Sequence, residues 1–471
     1  MQYISTRGEA PRLGFEDVLL AGLARDGGLY MPATWPNFSP QSIAEFAGQP
    51  FAEVAARLLQ PFVGASPTRA DLIGLARDAY ARFSHPAVTP LRQLDRGLWV
   101  LELFHGPTLA FKDLAMQMLA RLMDHVLARR GERVSIVAAT SGDTGGAAME
   151  AFRGLARVNV VVLFPTGRIS EVQRRMMTTP AEANVNALAI EGTFDDCQAL
   201  VKAMFNDLRF RDRLQLAAVN SINWARIVAQ LTYYFVAAVA LGGPGRRVAF
   251  SVPTGNFGDA FAGYGAKAMG LPAERLVIAT NENDILARAW STGTYALSDV
   301  VATSSPSMDI QVSSNFERFL FEASGRDAAF VRSKMQGLQQ SRSIGLGAAM
   351  HPYREAFIAE RVDQAAVGDC IRRVKAQSGY LLDPHSACAV VAAERTATSR
   401  SEPVAHVALA TAHPAKFPEA LEAITGERPA LPGRLDCLLS RPERVTTLPN
   451  DLGAVQRFVE RCATTVWGPG P

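Results

Sequence analysis

Lys112 is the residue in this sequence whose type and position best fit covalent chemistry. It lies in the segment 105–113, between an apolar run and a strongly periodic helical pattern, which places it near the start of a helix. The positive end of the helix dipole and burial beside Phe111 would both disfavour the ammonium form, so we expect a lowered pKa. A neutral amine is what Schiff-base formation requires. Because most lysines are exposed, the motif taken alone also fits a surface lysine at a helix start.

A turn of small polar residues follows the apolar run 134–139. Backbone N–H groups of such a turn, together with the N-terminus of the next helix, make an anion-binding site. An equally good interpretation is a tight strand-to-helix connection that Asp143 or Thr144 caps. The residues of this candidate site are Thr140, Ser141, Gly142, Asp143 and Thr144.

A second glycine-rich turn follows the apolar run 248–252 and is another candidate phosphate site. It lacks the GK[ST] of a Walker A loop and the GxGxxG of a dinucleotide-binding turn. Two anion sites without nucleotide signatures suit a small phosphorylated cofactor and a small acidic substrate better than ATP or NAD. The residues of the second turn are Gly255, Asn256, Phe257, Gly258 and Asp259.

Thr411 follows the apolar run 404–409 and offers a hydroxyl there. Ligand sites in open α/β sheets lie beyond the carboxyl ends of strands, which makes this position a candidate. Taken without other evidence, the segment is better described as an ordinary loop.

The elements that must position these residues alternate between short apolar runs and helical patterns. Runs rich in Val and Ile that lack clean alternation suit strands covered on both faces, and the alternation predicts an α/β fold with mainly parallel sheets. A helix over 15–23 that ends at Gly27 and Gly28, and a linker over 84–90, set off a small N-terminal domain. The predicted strands are 99–103, 134–139, 158–164, 187–190, 248–252, 276–280 and 404–409.

Composition excludes several classes of protein. The 471 residues carry a formal net charge of +3, which gives no reason to expect nucleic acid or a membrane as partner. The most apolar stretch, 233–241, is too short to span a bilayer, and we interpret it as a buried helix. Five cysteines without a CxxC pair argue against a disulfide framework or a zinc site and fit a reducing compartment. We therefore expect a cytoplasmic enzyme without a metal.

In combination, these motifs resemble those of the threonine synthases, a family of fold-type II pyridoxal-phosphate (PLP) enzymes. The stretches HGPTLAFKD, TSGDTG, PTGNFGD and TAHPAKF occur in the order typical of that family, and the resemblance extends from Ser5 to about Phe417. It implies two open, mainly parallel α/β lobes and a small N-terminal domain. The expected divisions are 1–90, 91–225 with the lysine, 226–425 with the phosphate loop, and a C-terminal extension over 426–471.

The resemblance also implies roles for single residues. Lys112 would form the Schiff base with PLP, and Thr411 would face the pyridine nitrogen. The backbone of Gly255, Asn256, Phe257 and Gly258 would hold the cofactor phosphate, with support from Asp259. The turn from Thr140 to Thr144 would bind the substrate α-carboxylate.

The family's substrate is O-phosphohomoserine, and its products are threonine and phosphate. For the substrate phosphate the candidate contacts are Arg226, Lys416, Lys112 and the arginines within 154–175. The three histidines of the motif regions, His105, His385 and His413, are each expected to serve more often as structural partners than as catalysts. Members of the family often form homodimers.

Three other functions fit the sequence less well. A related phospho-lyase would share the cofactor site but release a 2-oxo acid instead of adding water. A non-catalytic relative that binds a metabolite is disfavoured because Lys112 is present. A nucleotide-dependent oxidoreductase would need the glycine fingerprint and an acidic ribose ligand that the sequence lacks.

Overall fold

A computed structural model describes residues 1–167, 169–347, 356–397 and 404–468 of the chain. The first 90 residues form a helical layer with one two-stranded antiparallel sheet, in which Tyr3–Ser5 pairs with Tyr30–Pro32. The N-terminal elements are β1 (Tyr3–Ser5), α1 (Phe15–Ala21), β2 (Tyr30–Pro32), α2 (Pro40–Ala44), α3 (Phe51–Val63) and α4 (Arg69–Tyr80).

The predicted first helix is correct in its start but wrong in its end. It stops at Ala21, and the N–H of Gly22, which has a φ of 66°, bonds to the carbonyl of Val18. Leu23, which the pattern placed on the buried face, is 40% exposed. A glycine with a positive φ commonly ends a helix. Gly22 is the first such glycine, so the helix ends before it and not at Gly27 and Gly28.

The elements of the next 140 residues alternate as the sequence predicts. They are β3 (Leu91–Asp95), β4 (Leu98–Glu102), α5 (Lys112–Arg130), β5 (Val134–Ala139), α6 (Asp143–Phe152), β6 (Val158–Pro165), α7 (Glu171–Thr178), β7 (Val185–Glu191), α8 (Phe194–Asn206), α9 (Leu208–Leu214) and β8 (Leu216–Ala217). All eight residues of β6 are buried, as expected for a strand with helices on both faces.

The remainder of the chain begins with a long helix that includes the predicted buried stretch 233–241 up to Ala240. Its elements are α10 (Trp224–Ala240), β9 (Val248–Pro253), α11 (Gly258–Ala268), β10 (Ala273–Thr280), α12 (Ile285–Thr292), β11 (Thr294–Ala296), α13 (Phe316–Ala323), α14 (Ala328–Ser341), β12 (Ser343–Gly345), β13 (Phe357–Arg361), α15 (Gln364–Ser378), α16 (Pro384–Thr396), β14 (Ala405–Ala410), α17 (Pro418–Thr425), β15 (Val445–Pro449) and α18 (Leu452–Trp467).

Two larger sheets organise these elements. The first sheet has six strands in the order β13-β10-β9-β14-β4-β3, and only its edge strand β3 runs antiparallel to its neighbour. The second sheet has five parallel strands in the order β15-β7-β6-β5-β8. Helix α10 packs against α3, α5 and α11 and so ties the N-terminal layer to both lobes. The α/β class with mainly parallel sheets is confirmed.

The two sheets do not follow the expected divisions in chain order. Strands β3 and β4 fall in the division 91–225 but pair within the first sheet, whose other strands come from residues 248–410. Strand β15, from the C-terminal extension, joins the edge of the second sheet through β7. Each sheet is thus completed by a segment distant in sequence. Among the described residues, no helix has the length and apolar character needed to cross a bilayer.

Candidate active site

Three of the candidate motifs leave neighbouring strands of the first sheet. Strand β14 lies between β4 and β9 and is parallel to both. The segment that leads to Lys112 follows β4, Thr411 follows β14, and the loop at Gly255 follows β9. Because carboxyl ends of parallel strands meet at one edge, this order places the three motifs side by side.

Backbone hydrogen bonds join residues 103–111, here called the lysine segment, to the end of β14. The N–H of Leu103 donates to the carbonyl of Ala410 over 2.9 Å, and the N–H of Phe111 donates to the carbonyl of Thr411 over 2.8 Å. The N–H of His413 donates in turn to the carbonyl of Leu109 over 3.0 Å. Lys112 and Thr411 are therefore held next to each other by main-chain contacts.

Lys112 is the first residue of α5, as predicted, and its side chain is only 13% exposed. Its Nζ lies 3.2 Å from Oδ2 of Asp143 and 5.1 Å from the centre of the Phe111 ring. Burial lowers the pKa of Lys112, and the ammonium of Lys416 lowers it further, whereas the Asp143 carboxylate opposes both effects. The interpretation of Lys112 as an ordinary surface lysine is therefore wrong.

Asp143 is a buried carboxylate that binds two lysines. Its Oδ1 lies 2.6 Å from Nζ of Lys416 and accepts from Nε2 of Gln173 over 2.8 Å. Its Oδ2 contacts Lys112 and accepts from Oγ of Ser307 over 3.1 Å. Burial alone would raise the pKa of Asp143, but the two lysines hold it well below its usual range.

The turn from Thr140 to Thr144 leads from β5 of the second sheet into α6. The Thr140 hydroxyl accepts from the N–H groups of Gly142 and Gly145 over 3.0 and 2.9 Å, so it stabilises the turn from within. Gly142 has a φ of 132°, and a Cβ there would lie 2.5 Å from the Gln173 side chain. Ser141 is exposed and Thr144 is half-buried. The N-cap residue of α6 is Gly142, so the predicted cap by Asp143 or Thr144 is wrong.

Residues 254–257, here called the glycine loop, connect β9 to α11. Phe257 adopts the left-handed conformation with a φ of 61°. The carbonyl of Gly255 accepts from Oγ of Ser313 over 2.6 Å, and the carbonyl of Asn256 accepts from the N–H of Asn315 over 3.0 Å. These contacts fix the loop. The first N–H groups of α11 have no acceptor within the helix and are available for an anion.

Asp259 lies in the first turn of α11 and is buried. Its Oδ1 accepts from the hydroxyls of Tyr233 and Tyr234 over 2.5 and 2.7 Å. Burial raises the pKa of Asp259 to about 6, although both tyrosines and the Lys112 charge act to lower it. The side chain therefore fixes α11 against α10 and supports the glycine loop from behind.

Ser307 connects the glycine loop to the lysine. A Cβ at Gly255 would lie 2.7 Å from the Ser307 carbonyl oxygen, so the two backbones approach too closely for any larger residue. The Ser307 hydroxyl contacts Asp143, and its N–H donates to Nε2 of His385 over 3.2 Å. All the predicted cofactor motifs thus belong to one contact network.

Comparison with known proteins agrees with this arrangement. Family models described as "Threonine synthase N terminus", "Pyridoxal-phosphate dependent enzyme" and "Threonine synthase, C-terminal" match residues 2–80, 83–409 and 386–459. A threonine synthase of Pseudomonas aeruginosa is 53% identical over 98% of this chain and 98% of its own. The chain belongs to the threonine synthase family. The resemblance inferred from the motifs is confirmed.

Solved structures of threonine synthases have the same fold. The PLP-bound threonine synthase of Brucella melitensis superposes with a TM-score of 0.95 at 56% identity, covering 98% of this chain and 99% of that one. The yeast threonine synthase superposes with a TM-score of 0.93 at 37% identity, with the same coverage. The fold-type II architecture is therefore confirmed, and the match to the pyridoxal-phosphate dependent enzymes gives PLP as the cofactor.

The residues of this site fit PLP. The cofactor needs an amine for its aldehyde, donors for its phosphate and a partner for its ring nitrogen. Lys112 supplies a largely buried amine, and the glycine loop supplies a backbone turn that tolerates no Cβ at Gly255. Thr411, 5% exposed, follows the strand between them.

The structure also places the three histidines. His385 contacts Asp383 through Nδ1 over 2.7 Å, and Nε2 accepts from Ser307, so the proton lies on Nδ1. Nε2 of His105 contacts Oε2 of Glu102 over 2.7 Å. His413 accepts from its own turn, and burial lowers its pKa to about 4. Each of the three therefore has a structural contact.

Sequence reasoning missed Ser307 as the connecting residue and the Asp143–Lys416 pair. Ser307 lies within the extent of the family resemblance, Ser5 to about Phe417, but outside its four motifs. Nothing in the sequence indicates that Lys416 meets a carboxylate 273 residues earlier in the chain. The partners of buried charges depend on tertiary packing, which local patterns do not encode.

Proposed function

We propose that this protein converts O-phospho-L-homoserine and water to L-threonine and phosphate, with PLP bound at Lys112. The observation that carries the proposal is the buried amine of Lys112, positioned between a carboxylate and a glycine loop, in a chain that matches threonine synthases along its whole length. A γ-phosphate leaving group and water addition at Cβ are the reaction of that family.

The geometry of the site supports the cofactor contacts that we propose. Lys112 would bind the PLP aldehyde, the backbone from Gly255 to Gly258 would bind the phosphate, and Thr411 would face the ring nitrogen. Asp259 supports the loop through the two tyrosines. When bound, PLP supplies an electron sink that stabilises negative charge on substrate carbons, while the protein orients the groups and moves protons.

Lys112 is the base that we assign to the proton steps. Its lowered pKa leaves the amine able to accept a proton from the substrate Cα and later from Cβ. Asp143, 3.2 Å from Nζ, stabilises the ammonium that results. The same proton can then be returned, so one residue serves as base and acid in turn.

For the substrate phosphate we propose Arg226 among the candidates. Arg226 is 2% exposed and close enough to Lys112 to lower its pKa. Its Nη1 donates to the Val219 carbonyl over 3.2 Å, while its Nε finds no acceptor in the described part of the chain. By contrast, the side chains of Lys416, Arg174 and Arg175 are paired with carboxylates. Arg168 lies outside the described residues.

For the substrate carboxylate we propose the turn from Thr140 to Thr144. It lies at the N-terminus of α6, and the hydroxyls of Ser141 and Thr144 are at least partly accessible. The negative charge of Asp143 would oppose binding there, but Lys416 compensates it at 2.6 Å. Cytoplasmic location and a homodimer are also proposals; the five cysteines are free, which suits a reducing compartment.

The phospho-lyase alternative is not favoured. The threonine synthase of Pseudomonas aeruginosa, 53% identical to this chain over 98% of both chains, supports the synthase. Product analysis separates the two functions, since only the synthase yields one threonine for each phosphate released.

The decisive experiment measures phosphate and threonine released from O-phosphohomoserine with PLP present. We expect equal amounts of both, and loss of both, by at least about 10³-fold, in Lys112→Ala. Lys375→Ala, which removes a lysine paired with Glu427 far from these contacts, is the control and should retain full activity. Phosphate with a 2-oxo acid, or activity retained in Lys112→Ala, would contradict the proposal.

A further inference from the structure

Lys416 is a buried lysine to which the proposed reaction gives no role. It follows Thr411 in a short 3-10 turn, is 1% exposed, and donates to the carbonyl of Thr108 over 2.9 Å. Its charge is balanced by Asp143 at 2.6 Å. Because burying an ion pair brings little net stability, the pair is weak evidence for a purely structural function.

The carboxylate that binds Lys416 is also the one that binds Lys112. Asp143 uses Oδ1 for Lys416 and Oδ2 for Lys112, at 2.6 and 3.2 Å. Two cations therefore share one anion, and the shorter contact belongs to Lys416. Any change in one cation alters the electrostatic environment of the other.

The other charged groups near Lys112 come from separate helices. Arg226 of α10 opposes the ammonium, and Asp259 of α11 interacts with it favourably. The hydroxyls of Tyr233 and Tyr234 bind the Asp259 carboxylate, whereas Oδ2 of Asp143 lies 3.2 Å from Nζ of Lys112. Asp143 is consequently the dominant anion for Lys112. The other groups that Asp143 binds therefore determine how strongly it stabilises the ammonium form of Lys112.

We propose that Lys416 is a positioning residue that competes with Lys112 for Asp143 and thereby keeps the Lys112 amine free to react with the cofactor aldehyde near neutral pH. In that step a neutral Nζ attacks the aldehyde carbon, a carbon–nitrogen double bond forms, and the carbonyl oxygen leaves as water. The ammonium must first lose its proton to solvent. Without Lys416, Asp143 would serve Lys112 alone and stabilise the unreactive ammonium.

The test is the rate at which the visible absorbance band appears when PLP is added to the cofactor-free full-length chain, measured against pH. The inference rests on PLP binding at Lys112, which borohydride reduction and peptide mapping establish separately for each variant. A label at residue 112 with an unchanged pH midpoint would overturn this inference alone. A label elsewhere would overturn the proposed function as well.

In Lys416→Met we expect the midpoint to rise by about one pH unit, so that binding at pH 7 slows about tenfold. Gln173→Met is the matched control, because Gln173 also donates to Oδ1 of Asp143, over 2.8 Å, but carries no charge. It should leave the midpoint within about 0.3 units, since it removes no charge. Equal shifts in both variants would show a packing effect and contradict the proposal.

Asp143→Asn keeps the inference testable if Lys416→Met does not fold. It removes the anion but leaves Lys416 as a repulsive neighbour, so the midpoint should fall instead of rise. Opposite shifts from two members of one ion pair are the signature of electrostatic control, which general structural damage does not produce. A rise, or no change, in Asp143→Asn would contradict the proposal.

Discussion

The lysine segment and the glycine loop begin alike and are stabilised differently. Both leave parallel strands of the first sheet, and both lead into a helix whose second residue is a buried aspartate. After the lysine segment, Asp113 accepts hydrogen bonds from the N–H and the hydroxyl of Thr108, each over 2.7 Å. In the glycine loop, Asp259 instead accepts from two tyrosines of α10.

The chemistry around the two turns differs more than their shape. Lys112, which follows the lysine segment, contacts the charged side chain of Asp143, and Asp143 in turn binds Lys416. By contrast, uncharged amides and hydroxyls bind the carbonyls of the glycine loop. A reacting amine has to change its charge, so its neighbours must respond to charge. A phosphate keeps its charge, so a rigid backbone with fixed donors is sufficient. Substitutions should therefore change pH dependence at one turn and cofactor affinity at the other.

The largest expected effect comes from the support beneath the glycine loop. Arg318 is fully buried and donates to the carbonyls of Tyr30 and Ile222 and to the side chain of Asn315, which binds Asn256. Arg318→Met leaves these acceptors without a donor. It should lower the free energy of unfolding by about 3–5 kcal/mol and weaken PLP binding.

Urea denaturation and PLP titration measure both effects of the Arg318 change. The control is Arg77→Met, which removes an exposed partner of Glu53 and should change stability by less than about 1 kcal/mol. Since Arg318 joins the N-terminal layer to the loop, a stability loss with unchanged cofactor affinity would show that this layer does not support the phosphate site.

Gly255→Ala tests the rigidity of the glycine loop directly. The added Cβ would lie 2.7 Å from the carbonyl oxygen of Ser307 and 3.3 Å from Cα of Met308, both backbone atoms. Relieving that overlap should weaken PLP binding about 100-fold, equivalent to about 2.7 kcal/mol. Gly74→Ala, where no atom lies within 4 Å of the new Cβ, should bind PLP normally. Normal binding by Gly255→Ala would mean that the loop is more adaptable than we infer.

The two aspartates allow a matched test of pH dependence. Burial raises the pKa of both Asp113 and Asp259 from 3.8 to about 6. Between pH 4 and 6 the folded protein therefore holds protons that the unfolded chain has lost, so each group makes stability fall as the pH rises through this window. Above pH 6 its contribution is constant.

Asp259→Asn and Asp113→Asn should each remove part of that slope, at most about 3 kcal/mol across the window. The measurement is the free energy of unfolding at several pH values, with and without PLP. Equal effects would show that the two turns share this feature despite their different surroundings. If neither variant alters the slope, both aspartates are already ionised in the folded protein between pH 4 and 6, and their pKa is not raised.

The sequence predicted the strands better than the contacts between them. The run 134–139 coincides with β5, and those at 158–164 and 248–252 fall within β6 and β9, because buried parallel strands are continuously apolar. Strand β15 was missed, since an edge strand with alternating exposure in a proline-rich tail lacks that signal. The positions of Lys112 and the glycine turns could be predicted because they depend on the order of neighbouring residues in the chain.

The smallest expected effect concerns Thr411, which follows the strand between the two turns. A hydroxyl cannot hold the pyridine nitrogen of PLP protonated, whereas a carboxylate can. Thr411→Asp should therefore strengthen the electron sink and increase the share of substrate that ends as a 2-oxo acid, by about tenfold or less. Thr411→Ser retains the hydroxyl and should retain the product ratio. The backbone bond from Phe111 to the Thr411 carbonyl is common to both variants, so it cannot explain a difference between them. An unchanged ratio in Thr411→Asp would mean that charge at the ring nitrogen does not control the outcome, which would leave the charged surroundings of Lys112 as the controlling feature.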